Sequence, residues 1–135
     1  MNYWLFKSEP FKFSWDDLTK KTSEHWDGVR NYEAANNMKA MKIGDQGFFY
    51  HSNEGLEIVG IVEVVKEYYP DHTDPKGRFG MVDVKAIKPV PKPVSLKDIK
   101  ATKSLSEMAL VKRMRLSVSP VRKKEWEIIC KMAGL

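Results

Sequence analysis

The stretch Glu57-Ile-Val-Gly-Ile-Val-Glu-Val-Val-Lys-Glu-Tyr-Tyr69 decides the fold. Its β-branched and aromatic side chains suit a pleated surface, so it predicts one long strand. Gly60 interrupts it as a candidate bulge, a point at which a sheet can bend. Upstream, Asn2-Tyr-Trp-Leu-Phe-Lys7 reads as a strand halted by Pro10, with Trp4 and Phe6 on one face and Leu5 and Lys7 on the other. Phe48-Phe-Tyr-His-Ser52 reads as another, launched from the turn Ile43-Gly-Asp-Gln-Gly47. Downstream, residues 70–80 form a Pro- and Gly-containing loop. Residues 81–90 then set Val82, Val84 and Ala86 against Asp83, Lys85 and Ile87, the alternation of a half-buried strand. Pro89, Pro91 and Pro93 are expected to stop regular pairing and leave an extended connector. Arg115-Leu-Ser-Val118 reads as a last strand.

Helices fill the intervals. Ser14 caps a short one with Asp16 and Asp17 at its positive start. Asn31 opens a second over residues 31–41, and residues 95–99 and 104–112 read as two short ones. In the last helix Ser119 is expected as the cap, Pro120 as the first helical residue and Gly134 as the stop, with Val121, Ile128, Ile129 and Met132 in one apolar stripe. Five or so strands, a bend at Gly60 and helices in the crossovers predict an α+β chain. The expected form is a small, strongly twisted β-barrel or half-barrel with helices outside.

Length and composition bound the class. The chain's 135 residues make one domain, residues 1–135, large enough for a real core. Cys130 is alone and is expected to pack as a small hydrophobe, which favours a reducing cytoplasm or nucleus. The N-terminus lacks the basic and apolar regions of a signal peptide, and no stretch approaches the roughly 20 apolar residues of a membrane span. No membrane partner is expected. Residues 1–84 carry 10 Lys and Arg against 14 Asp and Glu, a balance of −4, while residues 85–135 carry 13 against 4, a balance of +9. A basic half suits a polyanion, because Lys and Arg displace counterions from phosphate, although Lys-rich faces also simply solvate small domains.

Three segments place aromatic and polar groups side by side: Trp4-Leu-Phe-Lys-Ser-Glu-Pro10, Trp26-Asp-Gly-Val-Arg-Asn-Tyr32 and Gly44-Asp-Gln-Gly-Phe-Phe-Tyr-His-Ser52. Ser8 and Glu9 sit at a strand end, where side chains can line a cleft. Trp26 offers a stacking face, and Asn31 offers either a helix cap or the donor and acceptor that read a base edge. Ordinary packing of Trp and Tyr competes with the pocket reading at each segment. His25, His51 and His72 are separated in sequence and show no metal-ligand spacing, and no Gly-rich phosphate loop is present. No metal and no cofactor are therefore expected. Glu9 and His51 are the candidate acid–base groups if the chain is an enzyme.

With Leu116-Ser-Val-Ser-Pro-Val121 before Glu125-Trp126, these segments closely resemble the EVE domain, the family of stand-alone bacterial proteins related to thymocyte nuclear protein. The resemblance spans residue 1 to about residue 129. It implies a PUA-like fold, a bent β-barrel with flanking short helices and a C-terminal helix, akin to the YTH domains that read methylated adenine in RNA. It further implies a non-catalytic module that binds RNA or DNA and captures a modified, flipped-out base. Carried onto this chain, the base pocket would draw on Lys7, Ser8, Trp26, Val29, Arg30, Asn31, Tyr32, Tyr50, His51 and Ser52. Glu33 departs from the neutral amide often found there. Lys112, Arg113 and Arg115 would hold phosphates, and Arg122, Lys123 and Lys124 either do the same or face solvent. A monomer is expected. The alternatives are a binder of small metabolites or nucleosides, a protein-interaction module and, last, an enzyme acting on a modified base.

Overall fold

A computed structural model describes residues 1–135. The long apolar stretch forms β4 (Glu57–Pro70), which pairs antiparallel with β3 (Gln46–His51) on one side and β5 (Gly80–Ser95) on the other. β1 (Tyr3–Ser8) runs parallel to β3, and the outer strands are β2 (Glu24–His25) and β6 (Val118–Val121). The order is β2-β5-β4-β3-β1-β6. The sheet stays open, so the half-barrel is realised rather than a closed barrel. No helix is long and apolar enough to cross a membrane.

Both faces of this sheet are covered, which explains why β4 is rich in Ile and Val instead of alternating strictly. On one face Trp4, Phe6, Phe49, Val62 and Val84 pack with Trp15, Trp26 and Met38. On the other Leu5, Phe48, Tyr50 and Ile58 pack with Ile99, Leu105 and Trp126. The expected alternation along β1 is therefore present.

Gly60 is the hinge of the arrangement. The β4–β5 register shifts between Ile58 and Gly60, and the β3–β4 register shifts opposite it, between Phe49 and Tyr50. A Cβ built at Gly60 would stand 2.4 Å from the Trp15 ring. The bare backbone thus lets α1 (Trp15–Thr19) lay its indole directly on the bend.

Ser14 caps α1 in a reciprocal capping box with Asp17, and Asn31 caps α2 (Tyr32–Lys39) by accepting the Ala34 N–H at 2.9 Å. Ser95 caps α3 (Leu96–Ala101). The single helix expected over residues 104–112 is instead a 3-10 turn, Lys103–Leu105, followed by α4 (Ala109–Lys112).

Two other expectations are corrected. β5 continues through all three prolines, with Pro89 opposite Gly60 and Val94 opposite Ile58. β2 covers β5 only at Asp83 and Val84, so the proline stretch lies on a free edge and bulges outward. There the Lys92 N–H turns to the Ala133 carbonyl at 3.1 Å. The last helix also starts later than expected. Ser119 and Pro120 pair with Leu5 and Trp4 in the edge strand β6, which itself begins at Val118 rather than Arg115. α5 (Lys123–Met132) is capped at Arg122, whose N–H donates to Glu125 at 2.9 Å. The stop is as expected: Gly134 has φ 82°, and the Gly134 and Leu135 N–H groups return to the Lys131 and Cys130 carbonyls.

Candidate functional site

A cleft of about 420 Å³ opens where β1 ends, bounded by the loop 9–13, by β2 and by the turn after it. That volume lies within the range of small-ligand sites. Trp26 and Phe13 are its two hydrophobic walls, and Ser8, Glu9, Glu24, His25 and Asp27 supply polar groups, with Lys7 and Lys12 at its edge.

Each wall is held from behind. The Trp26 N–H donates to the Val82 carbonyl at 2.8 Å, and the indole meets Phe6, Phe49 and Phe13 edge-on at 5.2, 5.8 and 6.4 Å. Only 8% of Trp26 is exposed. It is both core and cleft wall, the double role its motif left undecided. Phe13 is fixed because its N–H donates to the Glu9 carbonyl and its own carbonyl accepts the Ser8 hydroxyl at 2.5 Å. Glu9 accepts from Asn53 at 2.5 Å and pairs with Lys12 at 3.1 Å. Glu24 and Asp27 add two further carboxyl groups to the cleft.

His25 belongs to a network that sequence order concealed. Its Nδ1 lies 3.1 Å from the Tyr69 hydroxyl and 3.3 Å from Asp83, its ring meets that of His72 at 5.5 Å, and Tyr69 donates to Asp83 at 2.5 Å. Burial and the Asp83 carboxylate together push the Tyr69 hydroxyl well above the usual phenol range. The hydroxyl therefore stays protonated and serves as a donor to Asp83.

The remaining expected residues divide into several groups. Lys7 reaches the cleft edge but donates its ammonium to the Met114 carbonyl at 2.7 Å, and burial lowers its pKa. Val29 is buried in the same core as Trp26. Arg30 is engaged by Asp71 and Thr73, both at 3.0 Å. Tyr32 lies outside the cleft with 62% of its surface exposed.

Three residues from the third motif are not cleft walls. Tyr50 packs in the core on the opposite face, because strand alternation places it with Phe48 rather than Phe49. His51 Nε2 accepts the Trp15 N–H at 3.1 Å, fixing the start of α1, and burial holds its pKa below the ordinary histidine value. Ser52 donates its N–H to the Ser8 carbonyl and extends the β1–β3 ladder.

Asn31 instead borders a second cleft, of about 340 Å³, with Lys112, Arg113, Arg115 and Leu116. Here the expected phosphate ligands differ among themselves. Arg113 makes a two-pronged ion pair with Glu33, which spends its guanidinium, and Lys112 pairs with Glu107 at 3.0 Å. Arg115 is exposed and belongs to no ion pair.

Two buried carboxylates are hydrogen-bond hubs, and sequence reasoning missed both as anything more than turn residues. Asp45 accepts the Trp4 indole N–H at 3.0 Å and the Asn2 and Lys42 N–H groups. Asp71 accepts the Gly28 N–H at 2.8 Å, the Arg30 guanidinium, and the Thr73 N–H and hydroxyl. Burial alone would raise the Asp71 pKa. The Thr73, Gly28 and Arg30 hydrogen bonds outweigh it and hold the carboxyl at about 2.

Comparison with known proteins agrees with this architecture. A family model described as "EVE domain" matches residues 2–132. The chain is 41% identical over 162 residues to thymocyte nuclear protein 1 of Rattus norvegicus, covering 95% of this chain and 72% of that protein. It superposes on a solved protein of Agrobacterium tumefaciens with TM-score 0.97 at 56% identity, covering 100% of this chain and 94% of that one. It also superposes on human THYN1 protein, solved in complex with 5-methylcytosine containing DNA, with TM-score 0.93 at 33% identity over 100% of this chain and 99% of that one. The six-stranded α+β fold with its helices is thus the EVE, PUA-like architecture, and the chain belongs to the EVE domain family.

Proposed function

We propose that this chain is a non-catalytic nucleic-acid-binding module that captures a modified, flipped-out base in the cleft walled by Trp26 and Phe13. The observation that carries the reading is an aromatic-walled cleft of about 420 Å³, edged by hydrogen-bonding side chains, in a fold shared with a relative solved on methylated DNA. Trp26 and Phe13 supply apolar contact for the ring and its mark. Ser8, Glu9, His25 and Asp27 supply groups for the base edge, and Lys7 stands at the rim. Val29 shares the core behind Trp26, Ser52 ties down the Ser8 backbone, and His51 fixes the start of α1. Arg115, with Asn31 beside it, is the strongest phosphate contact, because its charge is uncommitted.

The magnitudes are consistent with selective but modest binding. Extruding a base costs a few kcal/mol, least from a single strand, and stacking on an aromatic returns about 1–3 kcal/mol. A methyl mark adds about 0.8 kcal/mol, a several-fold preference over the unmarked base. The lone Cys130, with no partner for an internal disulfide, supports a reducing compartment such as the cytoplasm.

The test is a binding array of singly modified DNA and RNA oligonucleotides, read by fluorescence, with nucleoside mass spectrometry after incubation. We expect one modified probe to bind several-fold tighter than its unmodified partner and its nucleosides to be returned unchanged. Equal affinity for every modified and unmodified pair overturns base capture, and a new nucleoside product overturns the non-catalytic reading.

A further inference from the structure

We propose that Tyr32 and Phe79, with Arg30 and Arg78, form a second contact with the ligand: a stacking platform for the nucleotide adjoining the captured base in single-stranded DNA. The inference rests on the base-capture reading and adds a site to it.

Tyr32 is an aromatic side chain left 62% exposed at the first turn of α2, and its backbone is fixed by the Asn31 cap. Its ring lies 4.8 Å from that of Phe79 at an interplanar angle of 35°, so the two make one inclined aromatic surface. Packing alone does not explain why so large a ring remains in water.

The partner ring is presented just as firmly. The Asp74 carboxylate accepts the N–H groups of Lys76, Arg78 and Phe79 at 3.0, 2.7 and 2.8 Å, and the Phe79 carbonyl accepts the Asp71 N–H at 3.0 Å. A loop tied down in this way presents its aromatic ring with little ordering entropy left to lose on binding. The Arg30 guanidinium sits 5.7 Å above the Phe79 ring, and Arg78 is exposed with its guanidinium in no ion pair. Aromatic faces flanked by one arginine held in place by Asp71 and one uncommitted arginine, Arg78, match the stacked bases and spaced phosphates of a single strand.

The platform is joined to the cleft through one oxygen. Asp71 Oδ2 accepts both the Gly28 N–H, next to the cleft wall Trp26-Asp27, and the Arg30 guanidinium over Phe79. A strand leaving the cleft past Gly28 therefore meets the Tyr32–Phe79 surface next.

The experiment compares Tyr32→Ala and Tyr32→Trp with the parent on two probes. One is a single-stranded DNA oligonucleotide carrying one internal 5-methylcytosine, and the other is the free nucleoside 5-methyl-2′-deoxycytidine. Tyr32→Ala is expected to weaken oligonucleotide binding about fivefold or more while leaving nucleoside binding unchanged, and Tyr32→Trp to retain it. Arg78→Ala is expected to lower the slope of log affinity against log salt by about 0.7, one phosphate contact on a single strand. Oligonucleotide affinity of Tyr32→Ala within twofold of the parent overturns the platform, whatever the nucleoside does. A parent indifferent to both the nucleoside and the methyl mark overturns base capture but not the platform.

Discussion

Asp71 shows how much of this site rests on single residues. Its carboxyl is held at about 2, below the ordinary value of 3.8, by the four donors that surround it. A depressed pKa contributes stability that is complete above the ordinary value and is lost as pH falls towards the folded one. That stabilisation should disappear between about pH 4 and pH 2 and amount to about 2 kcal/mol. Asp71→Asn should therefore lose about that much at pH 7 and flatten the acid limb of a stability profile measured by thermal unfolding. Parallel profiles for parent and variant across that window would contradict the assignment. Asp71 was legible only as a loop residue because its partners Gly28 and Arg30 lie more than 40 positions away. The His51 contact is hidden for the same reason, since its Trp15 partner comes from another element. Trp26 was legible as an aromatic face, with core packing and pocket lining both left open. Because it packs on Phe6 and Phe49, Trp26→Ala would cost about 3–5 kcal/mol of stability, so Trp26→Phe is the variant that probes binding.

At the scale of the element, the bend in β4 is the feature the residues announced most clearly. Gly60→Ala drives a methyl group to 2.4 Å from the Trp15 ring, and the shift needed to relieve it should cost about 1–3 kcal/mol. A lowered melting temperature accompanied by altered Trp15 packing in near-ultraviolet dichroism is the expected result, and an unchanged melting temperature would show that α1 does not depend on the bend. The caps at Ser14 and Asn31 were equally legible, because a cap is a local device within a few residues of chain. Ser119-Pro120 shows the limit. Ser before Pro suits a helix start or an edge strand, and pairing with Trp4 and Leu5, more than 110 positions distant, selects the strand. Likewise Pro89, Pro91 and Pro93 stay within β5 because that part of the strand is an edge, which only the strand order reveals.

Across the whole molecule, a sheet covered on both faces carries one cleft at the end of β1 and a basic border beside Asn31. The charge asymmetry was legible from composition, but the pairing that silences part of it was not. Arg113 is neutralised by Glu33 and Arg115 is uncommitted. Arg115→Ala should accordingly lower the salt slope for an oligonucleotide by about one, Arg113→Ala by clearly less, and Glu33→Gln should raise it. Equal effects of the two arginine substitutions would contradict the ion pair's role. The central claim, that the Trp26 cleft receives the modified base, is tested most directly by titrating the ¹⁵N-labelled protein with a singly methylated oligonucleotide and mapping amide and indole shifts. The account predicts the largest changes at Trp26, Ser8, Phe13, His25 and Asp27, well beyond those produced by the unmethylated strand. Shifts confined to the Arg115 border, and identical for both strands, would contradict it.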